Sequence, residues 1–121
     1  MNKLEQLKKK MEEAEVTWEN ARNKARLIFD AYEAARRDHN DKIDKLHLNY
    51  KANKDGIWER FTDDTTFFAA NYAANYALCT KNAAEKACFD VSNIVRETYD
   101  TYKAAKKAYE TELNKNKNND K

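Results

Sequence analysis

One glycine, Gly56, and no proline punctuate this chain of 121 residues. Glycine and proline are the usual markers of sharp turns between short elements. A chain with a single such marker has little means of making the many tight turns of an all-β fold. It reads instead as long helices that reverse direction once. Composition agrees: Ala, Lys and Glu, all good helix formers, are abundant, 36% of residues are charged and 41% hydrophobic. The predicted class is all-α.

The first half carries a helical register. Asn2, with Glu5 three residues later, has the spacing of a capping box. Apolar positions then recur at steps of three and four: Leu4, Leu7, Met11, Ala14, Trp18, Ala21, Ala25, Ile28, Tyr32, Ala35. This is a heptad seam. It slips at His39 and resumes at Ile43, Leu46 and Tyr50, a stutter that locally unwinds a left-handed supercoil. On the outer face Glu33–Arg37, Asp38–Lys42 and Asp41–Lys45 place acid four residues before base, the favourable order.

Asn53-Lys54-Asp55-Gly56 is the clear turn signal, and Gly56 suits the left-handed residue that ends a helix. The expected organisation is one helical domain over 1–113, with a helix at about 2–53, a turn at 53–56 and a helix at about 57–113. The stretch 114–121, NKNKNNDK, has nothing to bury and is expected to be a disordered tail. Asp55, Glu59, Asp63 and Asp64 stand where the second helix begins, and acids are favoured at a helix start. From Ala84 its seam runs Ala87, Val91, Ile94, Val95, Tyr99, Tyr102, Ala105, Tyr109, Leu113.

The segment Phe67–Cys79, FFAANYAANYALC, is apolar almost all round, as helices enclosed by neighbours are. Folding about the turn would set Leu27–Ala35 opposite roughly residues 73–81, so both arms would widen their apolar band at one height. A lone hairpin needs one stripe per helix. With Tyr72 and Tyr76 turned to the first helix, Phe67, Ala70, Ala74 and Leu78 would point largely to water. The excess predicts an interface formed by Leu27, Phe29, Ala31, Phe67, Phe68, Ala70, Tyr72, Ala74, Tyr76 and Leu78. The hairpin, coiled-coil-like and antiparallel, would then dimerise into a four-helix bundle. On this view Ala74→Glu splits the dimer and spares the hairpin. The rival is a three-helix bundle with a break near 80–82, which would bury the segment internally.

Chemistry is sparse. Asp44 lies three residues before His47, half of a carboxylate–histidine metal pattern, but Arg36 stands where His39 would need its acid. Ser92 is the only serine and lacks nucleophile-elbow glycines. Cys79 and Cys88 lie in apolar helical stretches, nine residues apart and on opposite sides of one helix, which predicts reduced, inert thiols of a cytoplasmic protein. One glycine cannot build a phosphate loop. No catalytic residue, cofactor or metal is therefore predicted, and the chain does not read as an enzyme.

Formal net charge is +2, unevenly placed: +3 over 1–54, −3 over 55–80 and +2 over 81–121. Lys8, Lys9 and Lys10, with Arg22, Lys24 and Arg26, give one end of the first helix a basic character. Glu12, Glu13, Glu15 and Glu19 are interspersed, which argues against a phosphate-binding stripe. The longest charge-free run, Thr65–Thr80, spans roughly 24 Å as a helix, short of a bilayer core of about 30 Å. Lys8–Lys10 are followed by acidic residues and not by an apolar core, so neither a membrane span nor a signal peptide is predicted. These features point to a non-enzymatic protein–protein interaction module, expected to be a homodimer with a further protein partner. The Asn/Lys/Tyr-rich composition fits a small bacterial or phage inhibitor or adaptor that occludes that partner. The alternatives are a nucleic-acid-associated helical protein using Lys8–Lys10 and a small secreted helical hairpin, the latter prompted by Trp58 near Gly56.

Overall fold

The computed structural model describes residues 2–119. Two long helices, α1 (Lys3–His47) and α2 (Asp64–Asn119), are joined by a two-stranded antiparallel hairpin of β1 (Tyr50–Ala52) and β2 (Trp58–Arg60). The all-α helical hairpin expected from the missing punctuation is present, with a different connector. α2 runs unbroken through 80–82, so the three-helix alternative is excluded. α1 stops at 47, short of the expected 53, and α2 starts at 64, later than the expected 57. Residues 114–119 continue α2 where a tail was expected; 120 and 121 lie outside the described residues.

Each helix end has a local cause. Asn2 caps α1, its Oδ1 accepting from the Glu5 amide at 2.8 Å. At the other end the last carbonyls of a helix lack intrahelical donors. Here the Leu48 and Asn49 amides turn back onto the Lys45 and Leu46 carbonyls, and the side chain of Asn49, 4% exposed, adds to them, its Nδ2 donating to the same carbonyls at 3.3 and 3.0 Å. Its Oδ1 accepts from the Thr62 hydroxyl, and its carbonyl accepts from the Phe61 amide at 2.9 Å. One buried amide thus ties the end of α1 to the residues leading into α2. Asp63 caps α2, its Oδ1 accepting from the Thr66 amide at 2.7 Å. That bond, with a second from the Thr66 side chain, holds the Asp63 carboxyl below the usual carboxylate range.

Between the strands, Lys54-Asp55-Gly56 forms a three-residue loop. The Asn53 amide donates to the Ile57 carbonyl (2.8 Å), and the Asn53 side chain accepts from the amides of Asp55 and Ile57. Gly56 has φ +80°, so the left-handed position exists as expected, but it closes a β-hairpin and not a helix.

The residues group into two compact units, Met1–Leu27 with Phe89–Lys121, and Ile28–Cys88. In the first, Trp18 stacks on Tyr102 (5.5 Å between centroids) and tilts against Tyr99 (4.9 Å), while the Arg22 guanidinium covers its ring at 4.8 Å. Ala21, Ala25 and Val91 are buried there, and Lys3 pairs with Glu112 at 3.5 Å. In the second, Ala74, Ala77 and Cys88 are buried, and the Cys88 thiol donates to the Ile28 carbonyl at 3.7 Å.

The buried and half-buried residues of α1 follow the heptad seam, stutter included. The expected register across the arms does not hold. Ile28 meets Cys88, about eight residues beyond its expected partner. The connector is longer than a four-residue turn, and the first turn of α2 packs on the β-hairpin before the arms meet. There the Phe67 ring meets the edge of Tyr50 (6.1 Å), and the Arg60 guanidinium lies over it at 4.6 Å. Leu27–Ala35 and Phe67–Cys79 therefore do not widen at one height. On the outer face Asp38–Lys42 (3.2 Å) and Asp41–Lys45 (3.0 Å) form as expected, but Glu33 takes Arg36 (2.9 Å) in place of Arg37. No helix among the described residues is long and apolar enough to cross a membrane.

A candidate protein-docking face on α2

The charge-free run of α2 has two opposite faces. Ala74 and Ala77, 2% and 3% exposed, are the core of this stretch, with Ala70 and Ala73 half-buried beside them. Phe68, Tyr72 and Tyr76, spaced four residues apart, are 59%, 73% and 67% exposed. At 100° per residue these three share the side of the helix away from Ala77, with Asn75, Cys79 and Ala83 exposed among them. The sequence expectation is inverted here: the tyrosines face solvent and the alanines face inward. The reason is steric and polar. Alanine lets helix axes approach closely. A tyrosine in the seam would hold the helices apart and would need a buried partner for its hydroxyl.

Of the ten residues predicted for the interface, Phe68, Tyr72, Tyr76 and Leu78 are exposed on α2. Ala74 is buried, and Ala70 and Phe67 are half-buried, so these three are not free to dock a partner. On α1, Leu27, Phe29 and Ala31 are exposed; Leu27 and Phe29, two residues apart, point to opposite sides of their helix. Lys8, Lys9 and Lys10 are exposed. An open cleft of about 540 Å³ is lined by Tyr99, Tyr102, Lys103, Lys106 and Lys107, with Glu110 among the lysines.

The two cysteines differ. Cys79 is exposed within the aromatic stripe; Cys88 is buried, which raises its thiol pKa and keeps it protonated. His39, at the stutter, has its Nδ1 enclosed with no hydrogen-bond partner among the described residues.

A second apolar surface lies on the connector. Leu48, Ile57, Trp58 and Phe61 are exposed, and His47, Tyr50 and Trp58 line a small cleft of about 280 Å³. The helical reading of the sequence missed it. The signal was present: Asp-Gly is a hairpin turn pair, flanked here by Tyr50 and by Ile57-Trp58, residues that favour strands.

No family model, curated protein or solved structure matches this chain.

Proposed function

We propose that this chain is a non-enzymatic protein–protein interaction module, and that Phe68, Tyr72 and Tyr76 form its docking face. One observation carries the reading: three aromatic rings stand exposed in a row on a charge-free stretch, opposite the buried Ala74 and Ala77. Three rings of roughly 200 Å² each, about two-thirds exposed, offer on the order of 400 Å². That is about half of one partner's share of a standard interface. At roughly 25 cal/mol per Å² the gross gain is about 10 kcal/mol, comparable with the cost of association. The partner this face fits is a protein presenting an uncharged, apolar helix or groove. Tyrosine is favoured in such contacts because its ring supplies area while its hydroxyl stays satisfied at the rim. A small inhibitor or adaptor that occludes another protein has this design.

The mixed charge around Lys8–Lys10 and Lys106 supports a protein partner over nucleic acid, since phosphate binding draws on clustered unopposed cations. Salt-sensitive micromolar binding to DNA, lost on reversing Lys8–Lys10, would favour nucleic acid instead. The direct test is Tyr76→Lys, followed by circular dichroism, sedimentation and affinity capture from the source cells. The expected variant keeps wild-type helicity and loses association with itself or with a captured protein. A wild type that associates with nothing, or a variant that keeps every association, refutes the proposal.

A further inference from the structure

Resting on that reading, we infer that the surface covering the stripe is the same stripe of a second copy, laid antiparallel across a two-fold axis near Asn75 and Tyr76.

Size is the first reason. Read along α2, the exposed face begins with large residues, Phe68 and Tyr72, passes the pair Asn75 and Tyr76, and ends with small ones, Cys79 and Ala83. A two-fold interface is self-complementary: if one residue meets a second, the second meets the first. About the proposed axis Phe68 lies opposite Ala83 and Tyr72 opposite Cys79, while the two Tyr76 rings, within about 1.5 Å of each other along the helix, meet at the axis. Two of the three rings thus find a small residue, and the Cys79 sulfur lies against an aromatic ring, a favourable contact. A parallel pairing sets ring on ring at three levels and leaves gaps at Cys79 and Ala83.

Charge is the second reason. On this face of the helix no charge stands between Asp64, which pairs with Arg60, and Lys86, both exposed; Lys81 and Glu85 lie off the face. Antiparallel packing brings Lys86 of each copy toward Asp64 of the other. Parallel packing brings like charges together at both ends, which is unfavourable.

Area is the third. Phe68, Tyr72 and Tyr76 offer on the order of 400 Å² of exposed surface. That is about half of the roughly 800 Å² per copy of a standard pair, and the exposed Asn75, Cys79 and Ala83 among the rings add to it.

The orientation is tested by cross-linking the full chain. In Tyr72→Cys, mild oxidation should yield a covalent dimer whose disulfide joins position 72 of one copy to Cys79 of the other. Wild type should form no Cys79–Cys79 bond, because antiparallel packing separates the two sulfurs by roughly 10 Å along the axis. Tyr72→Lys should raise the dimer dissociation constant at least about tenfold with helicity unchanged. Lys86→Glu should raise it several-fold, and adding Asp64→Lys should restore it. A Cys79–Cys79 bond in wild type overturns the orientation. A monomeric wild type at about 100 µM overturns the second copy as partner. If Tyr76→Lys then still loses a captured protein, the interaction function stands without the dimer; if nothing is captured, both fail.

Discussion

Replacing Ala74 by Glu tests which face of α2 is the core. Ala74 is 2% exposed, so the added carboxyl has no route to water without moving the helix. A buried unpaired charge and four extra heavy atoms in a closed seam together cost about 3–5 kcal/mol. For a chain of this size that lowers the melting temperature by roughly 10–25 °C. The assay is urea unfolding followed at 222 nm, with Ala74→Gln as the isosteric neutral control. Burial raises the folded-state pKa of the introduced carboxyl above its unfolded value near 4.3. The penalty is therefore full above the raised pKa and is relieved as pH falls through it. The gap between the Glu and Gln variants should be wide at pH 7.5 and narrow at pH 4. If Ala74→Glu keeps the wild-type urea midpoint and only weakens association, Ala74 faces outward and the assignment of faces is wrong.

Asn49→Ala should cost about 1–2 kcal/mol in urea unfolding, because it removes the side-chain donor to the Lys45 and Leu46 carbonyls, which keep only the Leu48 and Asn49 amides, and leaves the half-buried Thr62 hydroxyl without its acceptor. Asp63→Ala should lower the melting temperature at pH 7. The capped carboxylate has a depressed folded-state pKa, so its stabilisation is present above its unfolded pKa, near 4, and is lost as pH falls through the folded value. Wild type and variant should therefore converge near pH 2 in a thermal melt. Gly56→Ala should cost about 1 kcal/mol, since φ is +80° with open space where the new methyl would go. Maleimide should leave Cys88 unmodified in the native protein and label it in urea, while exposed Cys79 is labelled in both states.

The seam of α1 was legible in the sequence because over most of its length each turn offers one apolar choice; at Leu27–Ala35, where Leu27, Phe29, Ala31 and Ala34 offer others, the step carried through from Ala25 by Ile28, Tyr32 and Ala35 marks the inward side. In Phe67–Cys79 periodicity is uninformative, because apolar residues occupy every side. The decision fell to size and to the tyrosine hydroxyls, and pattern counting weighs neither. The β-hairpin was missed for a related reason. Strands of three residues are too short to show alternation, and Asp-Gly serves equally as a helix stop and as a hairpin turn. Asn49 was invisible as a core residue because asparagine is ordinarily exposed; only the two carbonyls above it explain its burial. The exposed row Phe68, Tyr72 and Tyr76 was named in full from the sequence, whereas Ala70 and Ala74, set on the exposed side, lie inward.

The Asn49 junction also sets an order of events during folding. Its partners, Lys45, Leu46, Phe61 and Thr62, lie close along the chain, so closing them costs little loop entropy. The Trp18–Tyr102 stack and the Lys3–Glu112 pair each close a loop of most of the chain. Such distant contacts form cheaply only after nearer ones have shortened the gap. Assembly therefore starts at the connector and proceeds like a zip toward the two termini. In stopped-flow refolding Asn49→Ala should slow the folding arm, whereas Trp18→Ala should leave it nearly unchanged and speed unfolding. On the ribosome the consequence is a delay: the residues that hold Trp18 in place are made about 80 residues after it, so the first helix waits, its seam uncovered, until Tyr99 and Tyr102 have emerged.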